Sequence, residues 1–219
     1  MNYWPLADLR LRTPTLELRW PTPGDLDALA ALAADGVHEP GQQPFMVPWT
    51  EAPPAERAKS TLQFHWRQWA IWQPSAWSLG MVVLRDGVVV GTQGMEAQDF
   101  AVRREVGTGS WVGLRYHGQG IGTQMRAAIL HLAFEGLGAA QATSGAFADN
   151  AASLAVSRKL GYADDGIDRH VVSDRVVVTR RFRMNREQWQ AHRRIPVQIV
   201  GLEACAAEFG LPQSDLSHS

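Results

Sequence analysis

Two segments of this chain carry residue types at spacings that could do chemistry. The first is Trp111 to Met125, WVGLRYHGQGIGTQM, where a strand-like stretch breaks at a glycine-rich turn and resumes as a helix. Gly118, Gly120 and Gly122 lack side chains, so the backbone can curl until several N–H groups converge on one spot. The helix that begins near Ile121 adds the positive end of its dipole. A phosphate or pyrophosphate fits such a place. The turn lacks the Lys-Ser/Thr pair of a P-loop, which removes the two ligands that a magnesium nucleotide needs. It also has the wrong spacing for a dinucleotide fingerprint, and no acidic residue stands about 20 positions on to hold a ribose. Taken alone, such glycines could equally be structural punctuation.

The second segment, FADNAASLAVSRKLGY, spans Phe147 to Tyr162 and follows at a distance that one helix and one strand would fill. Ser153 stands three residues after Asn150, on the same side of a first helical turn, where two polar groups can face one ligand. The same residues could also be a plain helix start, with Asp149 or Asn150 as the N-cap and Ser153 neutral. Together the two segments resemble the GNAT superfamily of acyl-CoA N-acyltransferases. The pyrophosphate loop of that superfamily reads Q/R-x-x-G-x-G/A, and its next helix commonly begins with Asn and closes with Leu-Gly-Phe/Tyr. Here the loop reads His117-x-x-Gly120-x-Gly122, so His117 departs from the usual Gln or Arg. The Asn150-x-x-Ser153 pair resembles the RimJ/RimL branch, which contains bacterial ribosomal-protein N-terminal acetyltransferases. The resemblance covers Leu16 to Met184.

That resemblance implies acetyl-CoA or another acyl-CoA as co-substrate, and an amine acceptor that attacks the thioester directly in a ternary complex. The acceptor could be a protein N-terminus, a lysine or a small amine. Main-chain groups of Val112 and Leu114, on a strand that splays from its neighbour, are placed by the resemblance against the pantetheine arm and the acyl oxygen. His117, Gly118, Gln119, Gly120, Ile121, Gly122 and Thr123 would supply amides to the pyrophosphate. Thr123 and Arg126 add a hydroxyl and a charge, and Arg115 and Arg126 are the basic residues at this end. Ser153 is the candidate proton donor to the coenzyme A thiolate, with Asn150 on the pantetheine, whereas Tyr162 reads as a core aromatic.

An attacking amine must be neutral, which raises the question of a base. Glu105, at the start of the strand leading to the acyl site, ranks first and His38 second, with Glu96, Asp99 and Glu39 as alternatives. Each could equally be a solvated surface charge, and an acceptor amine of low pKa needs no base. His38, Phe45, Trp49 and Trp66 are expected to border the acceptor, the run Phe45 to Trp49 forming its rim. Two other readings stand beside this one. The fold could use a larger donor such as succinyl-CoA, or it could be a noncatalytic acyl-CoA-binding or interaction module. Intact Gly120, Gly122, Asn150 and Ser153 argue against the latter.

The elements that must hold these residues can be read from periodicity. Leu16, Leu18 and Trp20 alternate with polar residues as a half-buried strand, ended by Pro21 and Pro23. Helices are predicted over 25–34 and 55–73, separated by a proline- and glycine-rich loop. Strands 77–84 and 88–96 flank Arg85-Asp86-Gly87, a hairpin signal. Then come strand 105–114, helix 120–135, strand 139–147, helix 150–160 stopped by Gly161, and a closing pair from Tyr162 and over 176–184. The order matches the GNAT fold, so an α/β (α+β) architecture is expected: a mixed, mostly antiparallel twisted sheet of six to seven strands flanked by four helices. Residues 1–185 would form the acyltransferase domain, with 186–219 a C-terminal extension that packs on the core or makes a homodimer contact. That extension could hold a helix at 187–192, a strand at 196–200 and a turn at 203–209, with its last eight or so residues disordered.

Composition excludes several rivals. The chain has 219 residues and is 45% apolar, enough for one domain with a substantial core. Its 21 basic and 22 acidic residues nearly cancel, which removes a general drive toward nucleic acid or an anionic membrane. The single cysteine, Cys205, allows no intrachain disulfide or multi-cysteine metal site, and no metal is expected. No apolar run approaches the ~20 residues of a membrane span, and no secretory leader is evident, so a cytoplasmic location is the expectation.

Overall fold

The computed structural model describes residues 3–212. Its strands are β1 (Arg10–Arg12), β2 (Glu17–Arg19), β3 (Ala76–Arg85), β4 (Val88–Gln98), β5 (Glu105–Val112), β6 (Gln141–Phe147), β7 (Ala163–Val172), β8 (Arg175–Asn185) and β9 (Gln198–Val200). They form one sheet in the order β7-β8-β6-β5-β4-β3-β2-β1-β9. Every neighbouring pair is antiparallel except β5 and β6. The helices are α1 (Pro23–Asp35), α2 (Pro54–Ala70), α3 (Phe100–Arg103), α4 (Ile121–His131), α5 (Ala151–Lys159) and α6 (Arg186–His192).

Local chemistry accounts for the boundaries. Thr22 and Asp25 close a capping box around the start of α1, and Pro23 stands at its first position. The β3–β4 turn uses Asp86 and Gly87 at φ of 51° and 78°, as an Asp-Gly hairpin requires. Gly161, at φ 91°, ends the chain's turn out of α5. On one sheet face Ile121, Met125, Ala128 and Ile129 of α4 pack with Val106, Ala142, Phe182 and Met184. On the other, Leu29 and Leu32 of α1 cover Val82, Leu84 and Val89.

The architecture is the α+β class expected, but the sheet has nine strands against six to seven. The strand missed outright is β1, whose three residues, Arg-Leu-Arg, are too few to show a period. It joins β2 to β9, so the C-terminal segment extends the sheet. Beyond β9, Leu202, Cys205, Ala206, Phe209 and Leu211 enter the main core. The expected disorder of the last eight or so residues falls on 213–219, outside the described residues. Strand β5 stops at Val112, and Leu114–Tyr116 form a 3-10 turn in place of the expected strand end. Among the described residues, no helix is long and apolar enough to cross a membrane.

Candidate active site

The site begins with a split in the sheet. The pairing of β5 with β6 covers only Glu105 to Thr108 against Gln141 to Ser144. Beyond that, β5 runs on to Val112 against β4, and β6 runs on to Phe147 against β8. The Gly113 N–H donates to the Val90 carbonyl on the β4 side at 3.0 Å. Successive residues of a strand turn their polar groups alternately, so Val112 and Ser110 direct theirs into the split. Val112 thus stands where an extended amide chain could pair with it, and its carbonyl accepts from His117 Nε2 at 2.9 Å. Leu114 does not join it, because its N–H is committed to Gly36 O at 3.0 Å. Ser110, which strand alternation from Val112 could have flagged, takes the second place on the strand.

At the mouth of the split lies the glycine turn. Gly118 and Gly120 adopt φ of 73° and 77°, and Gly120 is the N-cap of α4 with no side-chain cap. From Gly118 to Thr123 no N–H finds a protein acceptor among the described residues, while the Gln124 N–H returns to Gly120 O at 3.1 Å. Such a run of free donors at a helix start is an anion cradle. A Cβ on Gly118 or Gly120 would meet nothing within 4 Å, so the positive φ sets glycine there and crowding does not. Arg85, from the β3–β4 hairpin, donates to Gln119 Oε1 at 2.6 Å, and Arg115 donates to Asp35 at 2.8 Å. Both guanidinium groups lie over the Tyr116 ring, within 5.6 and 5.0 Å. Arg85 is distant in sequence from the loop, and no local pattern signals it.

Because β6 runs parallel to β5, α5 begins at the same end of the sheet as α4. Asn150 is its N-cap: the Asn150 Oδ1 accepts from the Ser153 N–H at 3.0 Å. The Ser153 side chain is half-buried in the first turn. Between these helix starts Arg126 turns inward, only 5% exposed, which differs from the expectation that it would sit at the phosphates. It donates to Ser144 Oγ at 2.9 Å and to Ser110 Oγ at 3.0 Å, spanning the two parted strands. Tyr162 is buried with the core, its hydroxyl 3.3 Å from Thr108 Oγ1, and burial pushes its phenol pKa up.

The opposite face carries a cavity of about 400 Å³. Its walls include Gln68 within α2 and Ile71 just after it, with Trp77, Glu96, Arg103, Glu105, Gly107 and Thr143, so it abuts the root of the split. Glu96 lies over Gly107, where a Cβ would stand 3.3 Å from its carboxylate. Glu105 is already engaged, to Arg183 at 2.6 Å and Arg103 at 3.2 Å. The Glu105 carboxylate, ahead of opposing desolvation, raises the pKa of Arg183. His38 holds Thr50 Oγ1 at 2.8 Å through Nε2, and its Nδ1 donates to Glu39 O at 2.9 Å. A chain of rings runs from His38 through Phe45 and Trp49 to Trp111, with centroid spacings of 6.2, 5.2 and 5.9 Å. Trp66 is not brought to them; it is 52% exposed on α2. Trp111, expected only as a strand residue, completes this wall.

Cys205 is fully buried far from the split in sequence and donates to Gly201 O at 3.2 Å. Burial, then Glu208 and Asp8, push its thiol up to about 12, which removes the thiolate that covalent acyl transfer requires. Among the described residues, no group of His, Cys, Asp and Glu side chains could hold a metal ion.

The site thus combines a split parallel pair, an uncapped helix start with free N–H groups and a cavity across the sheet. A family model described as acetyltransferase (GNAT) domain matches residues 15–163, and the chain belongs to this family of acyl-CoA-dependent N-acyltransferases. RimJ of Mycobacterium smegmatis, in complex with a CoA disulfide, is similar in fold, with a TM-score of 0.70 at 20% identity over 93% of this chain and 95% of that one. RimL, a ribosomal L7/L12 alpha-N-protein acetyltransferase in complex with coenzyme A, gives 0.66 at 18% identity over 79% and 95%. A GNAT-family acetyltransferase from Bacillus anthracis gives 0.65 at 14% identity over 81% and 99%.

Proposed function

We propose that the chain moves an acetyl group from acetyl-CoA to a primary amine, a protein N-terminus, a lysine or a small amine, by direct attack in a ternary complex. The observation that carries this reading is the opening between β5 and β6, with the free N–H groups of Gly118 to Thr123 at its mouth. The pyrophosphate is held by Gly118 to Thr123, helped by Arg85 and Arg115, and the pantetheine arm lies along Val112 and Ser110; His117, expected to give an amide as well, spends its N–H on Leu114 O at 3.0 Å and its Nε2 on Val112 O at 2.9 Å. Ser153 protonates the departing thiolate, and Asn150 holds the helix start that presents it. The amine enters from the cavity walled by Glu96 and Glu105, past Phe45, Trp49 and Trp111. Glu105 spends its charge on two arginines, so Glu96 is the better placed of the two to take the ammonium proton.

Calorimetric titration with acetyl-CoA, succinyl-CoA and free coenzyme A at one ionic strength, followed by a thiol-release assay with peptide, lysine and polyamine acceptors, tests this. Tight acetyl-CoA binding with turnover on one amine class supports it. A preference for succinyl-CoA moves the donor to carboxylate-bearing acyl groups, and binding without turnover on any amine leaves a noncatalytic module. No binding of any of the three sinks the reading altogether.

A further inference from the structure

Among the described residues, the buried cation Arg126 has no counter-charge. Its guanidinium lies inside the split, bonded to two neutral hydroxyls, Ser110 Oγ and Ser144 Oγ, and in contact with a third, that of Tyr162. Its Nε is buried and has no acceptor, and among the described residues no carboxylate pairs with it. A guanidinium so placed costs folding energy unless something negative completes its surroundings. Packing alone does not call for it, since Met125, Ala128 and Ile129 fill the same helix face with apolar groups.

The serine on the strand is the key neighbour. The Ser110 hydroxyl accepts from Arg126, so its own proton is free to donate, and the guanidinium polarises it. Its backbone N–H points into the split by strand alternation. Two donors from one residue, backed by a fixed positive charge, therefore meet where the strand opens toward an acyl carbonyl.

We propose that Arg126, acting as a positioning residue through Ser110, stabilises the negative charge that forms on the thioester during transfer, first on the acyl oxygen and then on the departing sulfur. The amine nitrogen forms a bond to the carbonyl carbon, and the C=O π pair moves onto oxygen, facing the Ser110 donors. The ammonium proton passes to the carboxylate on the acceptor side. The carbonyl then re-forms, the C–S bond breaks, and its electron pair leaves on sulfur, which Ser153 protonates. This rests on the N-acyltransferase reading above.

The test uses the full chain with coenzyme A, and R126Q, R126K and S110A variants. The thiol of bound coenzyme A is titrated by the ultraviolet absorbance of its thiolate. In the wild type it should ionise at lower pH than free coenzyme A, and in R126Q about one pH unit higher than in the wild type, a tenfold change in equilibrium. Turnover in R126Q should fall on the order of 100-fold while the acetyl-CoA Kd stays within a factor of about three. R126K should recover part of both effects. Should R126Q fail to fold, S110A carries the test, because Arg126 keeps Ser144; turnover should drop roughly 10-fold at an unchanged Kd. A folded R126Q or S110A with unaltered thiol ionisation and turnover overturns the proposal, as does a loss confined to stability and affinity. Failure of the wild type to bind coenzyme A would instead overturn the transferase reading itself.

Discussion

Ser153 contributes to the start of α5 through its backbone and leaves its side chain uncommitted. Its N–H is spent on the Asn150 cap, and its hydroxyl remains for a ligand. If it protonates the thiolate, Ser153→Ala should lower kcat by about 10- to 100-fold with acetyl-CoA affinity nearly unchanged. Equal turnover at equal stability would remove it from the mechanism. His65 makes a different prediction at the same scale. It is 2% exposed on α2, against Gly80, and burial lowers its pKa from 6.5 to about 4. The unfolded chain therefore binds a proton that the folded chain does not between those values. Stability should be complete above about pH 6.5 and fall as pH drops toward 4, by roughly 3 kcal/mol from this residue. Urea unfolding at stepped pH, compared with a His65→Gln variant, checks this; a variant with the same slope over that window would refute it.

Elements rather than single groups decide how the split is held open. Strand β4 must approach β5 closely at Gly91, where a Cβ would stand 2.4 Å from Trp111 O and 3.0 Å from Val112 Cα. Gly91→Ala should push the two strands apart, at a cost of about 2 kcal/mol, and shift Ser110 and Val112 with them. Thermal unfolding and acetyl-CoA calorimetry should both move; a variant that melts lower but binds as before would show that the donor groups are set by α4 alone. The glycine turn was legible in sequence because positive φ and free amides are local properties of Gly118 and Gly120. The opening between β5 and β6 was reachable only through family resemblance, since parting strands leave no periodic mark. The side of the strand that Val112 and Ser110 present depends on which strand Gly113 bonds, a long-range pairing that puts Ser110 in the place expected for Leu114.

Across the whole molecule, the C-terminal segment closes an aromatic cluster. Phe209 is fully buried, 4.9 Å from Trp77 and 6.0 Å from Trp72, and the Trp72 indole donates to Glu208 O at 3.0 Å. Phe209→Ala should cost about 3–5 kcal/mol and lower Tm by roughly 10 °C, with coenzyme A affinity retained. A shift of a degree or two in differential scanning calorimetry would mean that this segment is dispensable. Amino-acid order alone determined most of the succession of strands and helices, though not β1, together with the glycine turn and the capped start of α5, because each depends on residues within a few positions of one another. Tertiary structure decided what long-range packing brings together. Arg126 turns from the phosphate end into the sheet because Ser110 and Ser144, 16 and 18 residues away, supply acceptors for its guanidinium there. Arg85 reaches the glycine turn across 34 residues, Trp111 joins Trp49, and Trp66 is left outside. Such contacts follow from the sum of packing over the sheet, which no local window of residues contains.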